Sequence, residues 1–261
     1  MDTIDEILTL VTFSHTDYKD IWPIVCDGVK NIVGFKKIFA TNNYELSSSV
    51  LDVYDSIIEY DDTRTYPQKI IHILESVKTP YVLFIHDIDI LIKLDTHCLS
   101  DLITLIVSNS IDRCSLGAFN AQDHVLDNGS VSITNINKPN ISSNWYTPYD
   151  VGPSIWKVTT FHDTMTYFKT QTYRTIETSP IQKYLQNKKI YGITSNKHCT
   201  IINQIGRIFS TKFICLHLLV RGQWLHSKYY LDLESQFKNI IAKHNIQIHE
   251  RGVIETPHLQ C

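Results

Sequence analysis

The sequence predicts an α/β protein in one domain, a mainly parallel, doubly wound sheet flanked by helices. Three observations predict it. Apolar, β-prone runs alternate with helix-patterned segments over the first ninety residues, as parallel sheets require. One run, Tyr81 to Ile85, is apolar throughout, which suits a strand covered on both faces. No repeat, low-complexity tract or linker divides the 261 residues, a length that one large α/β domain can fill.

The elements follow in order. Ile7 to Phe13 reads as a buried first strand closed by Ser14-His15, with a helix from about Asp17 to Ile32. Phe35 to Ala40 is a second strand, stopped by the turn-prone Thr41-Asn42-Asn43. Ser56 to Tyr60 is a third, ending in Asp61-Asp62. Pro67 suits the first turn of a helix, and Ile70, Ile71, Ile73, Leu74 and Val77 give that helix a broad apolar stripe. The Tyr81 strand comes next, then a helix over Leu99 to Val107 and a strand over Ser115 to Phe119. Residues 121–150, polar and rich in Asn, Asp and Ser, read as a long functional loop, an acceptor-binding or lid region.

The second half is less regular. Gly152 to Thr160 is expected as a strand and Asp163 to Phe168 as the start of a helix. Ser179-Pro180-Ile181-Gln182 opens a further helix to about Lys188 in the manner of a capping box. Ile190 to Ile193 and Phe213 to Val220 are strand-like. Tyr230 to His244 is an amphipathic helix with Leu233, Phe237, Ile240 and Ile241 on one side.

Composition narrows the function. A net charge of −3 argues against a nucleic-acid binder held by phosphate neutralisation. No apolar run approaches the roughly 18–20 residues needed to span a bilayer. The acidic start MDTIDE lacks the basic and apolar regions of a secretory signal, so the expected location is cytoplasmic. The six cysteines are irregularly spaced without a CxxC, which suits reduced thiols. The histidines form no HExxH or His-x-His pair. Two Asn-x-Ser matches, at Asn128 and Asn140, mean little without secretion.

The chemistry is concentrated where the Tyr81 strand turns acidic, in His86-Asp87-Ile88-Asp89. Side chains two apart on an extended segment point the same way, so Asp87 and Asp89 are expected to leave the strand's carboxyl end together, with His86 and Ile88 opposite. Ligands of open α/β sheets collect at that end. Two carboxylates there repel unless a cation lies between them, and a hard divalent ion carrying a phosphate ligand is a natural occupant. The alternative is a solvated acidic turn after a core strand.

The strand ILTLVTFSH, the segment IIEYDDTRTYPQKI and the central YVLFIHDIDI, in that order, resemble the nucleotide-binding half of a family-2-like GT-A-type glycosyltransferase, a Rossmann-like fold whose DxD motif lies where Asp87 and Asp89 stand. The resemblance covers about residues 1–120. Beyond 151 it rests on GPSIWK, on RTIET before a helix, and on RGQW. Few alanines beside many isoleucines, asparagines and lysines imply an AT-rich genome, and with the compact length a large DNA virus as the kind of source.

The resemblance implies a metal-dependent transferase moving a sugar from a nucleotide diphosphate, a UDP-sugar, to a glycan or protein acceptor, residues 1–120 binding the nucleotide and 121–261 the acceptor. Asp89 is the implied ligand of Mn²⁺ or Mg²⁺, with Asp87 completing the coordination or meeting the ribose. The ion would neutralise the leaving diphosphate. Phe13, Ser14 and His15 match positions that meet the base; Asp61 or Asp62 would accept the uracil N3 proton, and Arg64 and Lys69 would reach phosphate. Gly152 and Trp156 would border the donor sugar. Glu177, just before a helix, is the implied general base of an inverting reaction, with Asp163 and Asp123 in reserve. The family carries an acidic pair at that point, and here Thr178 follows Glu177. A carboxylate that merely complements the helix dipole is the other reading.

Arg221-Gly-Gln-Trp loosely resembles the Gln-x-x-Arg-Trp box of processive enzymes, which would let Trp224 floor an acceptor sugar. His217 or His226 is the implied late histidine ligand, and the last helix would serve a homodimer or the core. Two other functions compete. A sugar nucleotidyltransferase needs a glycine-rich loop after the first strand, and FSHTDYKD has no glycine. A non-catalytic binding or structural module of the same fold conflicts with no residue.

Overall fold

The computed structural model of the chain describes residues 3–254 apart from 44, 47, 121–124, 138–147, 178, 196–200, 205–206, 211, 227, 229 and 231–232, with no side chains described at 118, 120, 179, 195, 201–204 and 207–210. A one-turn helix, α1 (Ile4–Ile7), takes up Ile7 and leads straight into β1 (Leu8–Phe13). The expected helix after β1 divides in two. Thr16–Ile21 winds as a 3-10 turn, and α2 proper is Trp22–Val29, because Pro23 sets a fresh first turn. Then come β2 (Lys36–Thr41), α3 (Ser48–Leu51) and β3 (Ser56–Glu59). Helix α4 (Tyr66–Leu74) starts at Thr65, whose amide donates to Gln68 Oε1 at 2.9 Å, with Pro67 in the first turn. It leads to β4 (Tyr81–His86).

β1 pairs in parallel with β2 on one side and β4 on the other, and β2 pairs in parallel with β3. The order is therefore β3-β2-β1-β4. The first strand of the chain is central, and the connections leave it in opposite directions. That reversal makes the carboxyl ends of β1 and β4 a topological switch point, the place where such sheets usually open a ligand crevice.

The chain does not run on as one strand through Asp89. It turns at Asp87-Ile88 and starts a new strand, β5 (Asp89–Leu94). There follow α5 (Thr96–Ser108), β6 (Arg113–Asn120), β7 (Val125–Asp127) and β8 (Ser132–Asn135). The expected long loop thus contains a hairpin, β7 against β8. β9 is limited to Ser154–Lys157, and α6 (Val158–Tyr167) already begins where the strand was expected to continue. Helix α7 (Ser179–Leu185) and β10 (Ile190–Ser195) come next. The sheet extends from β4 through β9, β6, β10, β8 and β7, with β9 antiparallel to both neighbours and β6 parallel to β10.

β11 (Ile201–Gln204), β12 (Arg207–Ser210) and β13 (Phe213–His217) form antiparallel ladders, β12 touches β6, and β13 pairs with β5. β14 (Leu219–Val220) is separate because Leu218 leaves the ladder and its amide donates to the Ile88 carbonyl at 2.9 Å. β15 (Gln223–Leu225), α8 (Glu234–Lys243), α9 (Ile248–Arg251) and β16 (Val253–Ile254) complete the described chain. The last helix is shorter than the apolar pattern suggests.

Both faces of the parallel half are covered. Leu8, Leu10, Leu83 and Ile85 pack with Trp22, Cys26, Leu99 and Leu102 on one side. Val11, Val82 and Phe84 pack with Ile70, Ile73, Phe161 and Met165 on the other. A third cluster joins Ile21, Ile24 and Val25 to Leu216, Trp224 and Phe237. Cys26, Cys98, Cys114 and Cys215 are buried. Among the described residues no helix is long and apolar enough to cross a membrane.

Gly28 shows how closely α2 lies on β5. A Cβ there would sit 2.6 Å from the Leu91 carbonyl oxygen, a backbone atom that cannot swing aside. Gly28→Ala is expected to lower stability by about 1–3 kcal/mol, the overpacking cost outweighing the roughly 1 kcal/mol that alanine gains in a helix. Urea denaturation of the two proteins measures it.

Candidate functional site

The crevice is built from strand ends. β1 delivers Phe13 to one face of the sheet and Ser14 to the other, and β4 does the same with His86 and Asp87. The Asp87 amide donates to the Phe13 carbonyl at 3.0 Å, locking the two ends together.

On one face, Ser14 Oγ donates to Asp87 Oδ2 at 2.5 Å and itself accepts from Trp22 Nε1 at 2.6 Å. The His15 amide points at the same carboxylate oxygen at 3.4 Å. Ser14 is held in turn: its amide donates to the Ala40 carbonyl, and Tyr60 donates its hydroxyl proton to the Ser14 carbonyl at 2.5 Å. Asp87 and Asp89 are only 5% and 1% exposed. Burial is the main force on Asp87 and, with the charge of Asp89, pushes its carboxyl up to about 7 against the opposing hydrogen bonds. His217 Nδ1 lies 2.7 Å from Asp89 Oδ1 and donates to it. The β5–β13 ladder places the two residues opposite one another.

The other face is aromatic. Phe13 stacks on Tyr60 at 5.1 Å and meets Tyr66, Phe84 and His86 edgewise or tilted. One face of Phe13 is therefore taken by Tyr60 before any base arrives. His86 Nδ1 donates to the Val151 carbonyl at 2.8 Å, which leaves Nε2 to accept from the Tyr66 hydroxyl at 3.0 Å. The Val151 amide donates to Glu177 Oε1 at 2.7 Å. Glu177 is thus brought to the rim of the β4 end, with Val151 bridging it to His86.

At the ends of β2 and β3, His15 Nδ1 accepts from the Asp17 amide at 3.1 Å, and Nε2 lies 3.0 Å from both Asp62 Oδ2 and Asn42 Nδ2. Lys69 donates to the other Asp62 oxygen at 2.5 Å while lying over the Tyr60 ring. These two partners, Lys69 foremost, hold the Asp62 carboxyl below its ordinary value. Asp61 faces solvent instead and caps its own turn through the Thr63 hydroxyl and amide, with Arg64 3.9 Å away.

The structure therefore gathers Phe13, Ser14, His15, Asp62, Lys69, Asp87, Asp89 and His217 around the strand ends, with Glu177 at the rim. Gly152 lies one residue past Val151 and donates to Asp150. Trp156 does not belong to the crevice. It pairs opposite Val82, four residues back from His86 along β4, or about 13 Å at 3.3 Å per residue. There it is buried, stacked on Phe161 beneath the Arg113 guanidinium. Trp224 is fully buried, with its ring tilted against Phe237, so it floors no sugar. The Arg221-Gly222 pair preceding it is a tight turn, both residues at positive φ, between β14 and β15. His226 accepts from the Lys228 amide on that same small sheet. Asp163 is exposed on α6, and Asp123 lies outside the described residues. Residues the sequence did not single out include Trp22, Tyr60, Tyr66 and His86. Only strand register shows that they meet here.

Among the described residues no group of three or more His, Cys, Asp or Glu is placed to hold a metal ion. His217, an expected ligand, donates from Nδ1 to Asp89, the arrangement in which a metal-bound histidine is usually held. The residues that would hold a divalent ion are Asp87 and Asp89, with His217 beside them; diphosphate oxygens and water would supply the rest, a ligand set that Mg²⁺ accepts. The raised Asp87 carboxyl fits this, because a cation beside it would restore the ionised form.

No family model matches this sequence, and no curated protein matches it either. Solved structures give partial overlaps. S. aureus TarS superposes with a TM-score of 0.46 at 10% identity, over 78% of this chain and 36% of TarS, so the chain spans well under half of that protein. TarS 1-349 in complex with UDP gives 0.43 at 10% identity, over 73% and 61%. CMP:2-keto-3-deoxy-manno-octonic acid synthetase complexed with CTP gives 0.46 at 10% identity, over 72% and 90%.

A buried acid raised from its unfolded value near 4 to about 7 stabilises the fold fully at low pH, and that contribution is lost as pH rises to 7. Asp87→Asn cannot ionise. Its unfolding free energy is expected to gain on the wild type progressively between pH 4 and 7, by up to about 4 kcal/mol at about 1.4 kcal/mol per pH unit, and to hold that lead above. Thermal or urea unfolding across pH 4–8 measures it; a constant difference would show that Asp87 does not carry the shift.

Proposed function

We propose that this chain is a glycosyltransferase: it moves a sugar from a nucleotide diphosphate, a UDP-sugar, to an acceptor hydroxyl with inversion. The observation that carries the reading is the buried acidic pair at the β1–β4 switch point, with Asp87 held between ionised and neutral. Such a pair is costly in an empty site and becomes favourable when positive charge is brought to it.

In this reading Asp87 and Asp89 would hold Mn²⁺ or Mg²⁺ together with the donor's diphosphate, and the ion would supply positive charge against the leaving diphosphate. Ser14 and the His15 amide fix the rotamer of Asp87, and His217 fixes that of Asp89, so neither carboxylate needs to reorganise during the reaction. Asp62, held by His15 and Lys69, accepts the N3 proton of uracil. Lys69 supplies positive charge on the same side. Glu177 takes the proton of the acceptor hydroxyl as it attacks the anomeric carbon, and solvent recovers that proton afterwards.

The test is a panel of nucleotide sugars with Mn²⁺, scored by release of free nucleotide diphosphate. One UDP-sugar is expected to turn over, and chelation with EDTA to abolish it. Asp87→Asn and Asp89→Asn are each expected to lower turnover about 10²–10³-fold, and Glu177→Gln about 10²–10⁴-fold, all three remaining folded. Absence of binding or turnover with every donor and divalent ion would leave the chain a non-catalytic member of this fold.

A further inference from the structure

Among the described residues six large apolar side chains are markedly exposed, and of these Tyr173 is the one whose ring touches the crevice. It is 44% exposed, yet it meets Tyr66 edgewise at 5.1 Å and His86 at 6.1 Å between ring centroids. His86 ends β4, so the Tyr173 ring stands at the outer edge of the aromatic wall, on the face opposite Asp87.

Its backbone is pinned although its ring is open. The Ile176 amide donates to the Thr172 carbonyl at 3.0 Å and the Thr175 amide to the same oxygen at 3.1 Å, a helical turn. Ile176, 1% exposed, plugs that turn into the core. Thr65 Oγ1 donates to the Lys169 carbonyl at 2.5 Å, tying the start of the segment to the cap of α4. Tyr173 and Glu177 converge on His86, the first through its ring and the second through Val151, whose carbonyl accepts from His86 Nδ1 and whose amide donates to Glu177.

An aromatic face next to a carboxylate is the chemistry that recognises a sugar ring. The C–H groups of a pyranose pack on the ring, and its hydroxyls donate to the carboxylate. A pinned tyrosine supplies that face with little loss of side-chain freedom on binding. We propose that the turn carrying Tyr173 and Glu177 is a carbohydrate-acceptor subsite, with a pyranose on the Tyr173 ring and one of its hydroxyls at Glu177. Its part in turnover rests on the transferase reading; sugar binding there does not.

The probes are the methyl glycosides of glucose, galactose and N-acetylglucosamine, read by saturation-transfer NMR on the full chain without nucleotide. At least one is expected to bind. Tyr173→Ala is expected to weaken that binding about ten-fold or more. Val33→Ala, at an exposed apolar position by the amino end of β2, serves as the control and is expected to leave it unchanged. Tyr173→Leu keeps the bulk and removes the aromatic face, so a loss there too, with an unaltered unfolding midpoint, assigns the effect to the ring. Binding in Tyr173→Ala or Tyr173→Leu within about two-fold of wild type overturns the proposal, as does the absence of binding by every glycoside. A separate titration with UDP and Mn²⁺ reads the donor site, so failure of one reading is seen apart from failure of the other.

Discussion

Burying a carboxyl group is among the most expensive things a fold can do, and here Asp87 is buried beside a second one. What offsets that cost is a relay: the Trp22 indole donates to the Ser14 hydroxyl, which donates to Asp87, while the amide of Asp87 closes on the end of β1. The relay holds only if β1 and β4 are neighbours in register and α2 lies over their ends. The positions of the 3-10 turn, of α2 and of the central strands therefore converge on one carboxylate oxygen. The compensation is incomplete, since burial still wins and the group sits near neutrality in its protonation. A site in that condition responds strongly to incoming positive charge.

The second acid is secured from the far end of the chain. Asp89 opens β5, and β5 is matched residue by residue with β13, so His217 arrives opposite Asp89 although 128 positions separate them. The C-terminal segment reinforces the same region. Asp27 on α2 is bound by Lys243 and Lys30, and Arg251 of α9 pairs with Asp20 and lies over Tyr18 in the 3-10 turn. The turn that follows β1 is thus gripped from below by the sheet and from outside by the last helices. Such contacts order the backbone around Ser14 and His15 more than they add stability, because exposed ion pairs contribute little.

The two faces of the crevice differ in kind. One presents carboxylates and hydrogen-bond donors; the other is a packed aromatic wall of Phe13, Tyr60, Tyr66 and His86, with Tyr173 at its open edge. His86 spends both ring nitrogens on structure, and through Val151 that structure reaches Glu177. The base proposed for the reaction is thereby positioned by the same strand end that leads into Asp87.

Local chemistry in the sequence was enough for the parallel half of the fold. Continuous apolar runs, the Thr65-Gln68 cap with Pro67, and the abrupt acidity after Ile85 are short-range signals, and they located β1 to β4, α4 and the acidic pair within a residue or two. Asp62 and Glu177 were also legible as carboxylates at element ends. Tertiary structure decided everything that depends on which strands become neighbours. It placed Trp22 against Ser14, brought His217 opposite Asp89, sent Trp156 and Trp224 into the core, and split the segment through Asp87 and Asp89 into two strands. The physical reason is that a side chain's periodicity tells which face it takes, whereas its partner is chosen by sheet order and register, quantities summed over contacts between residues tens to hundreds of positions apart.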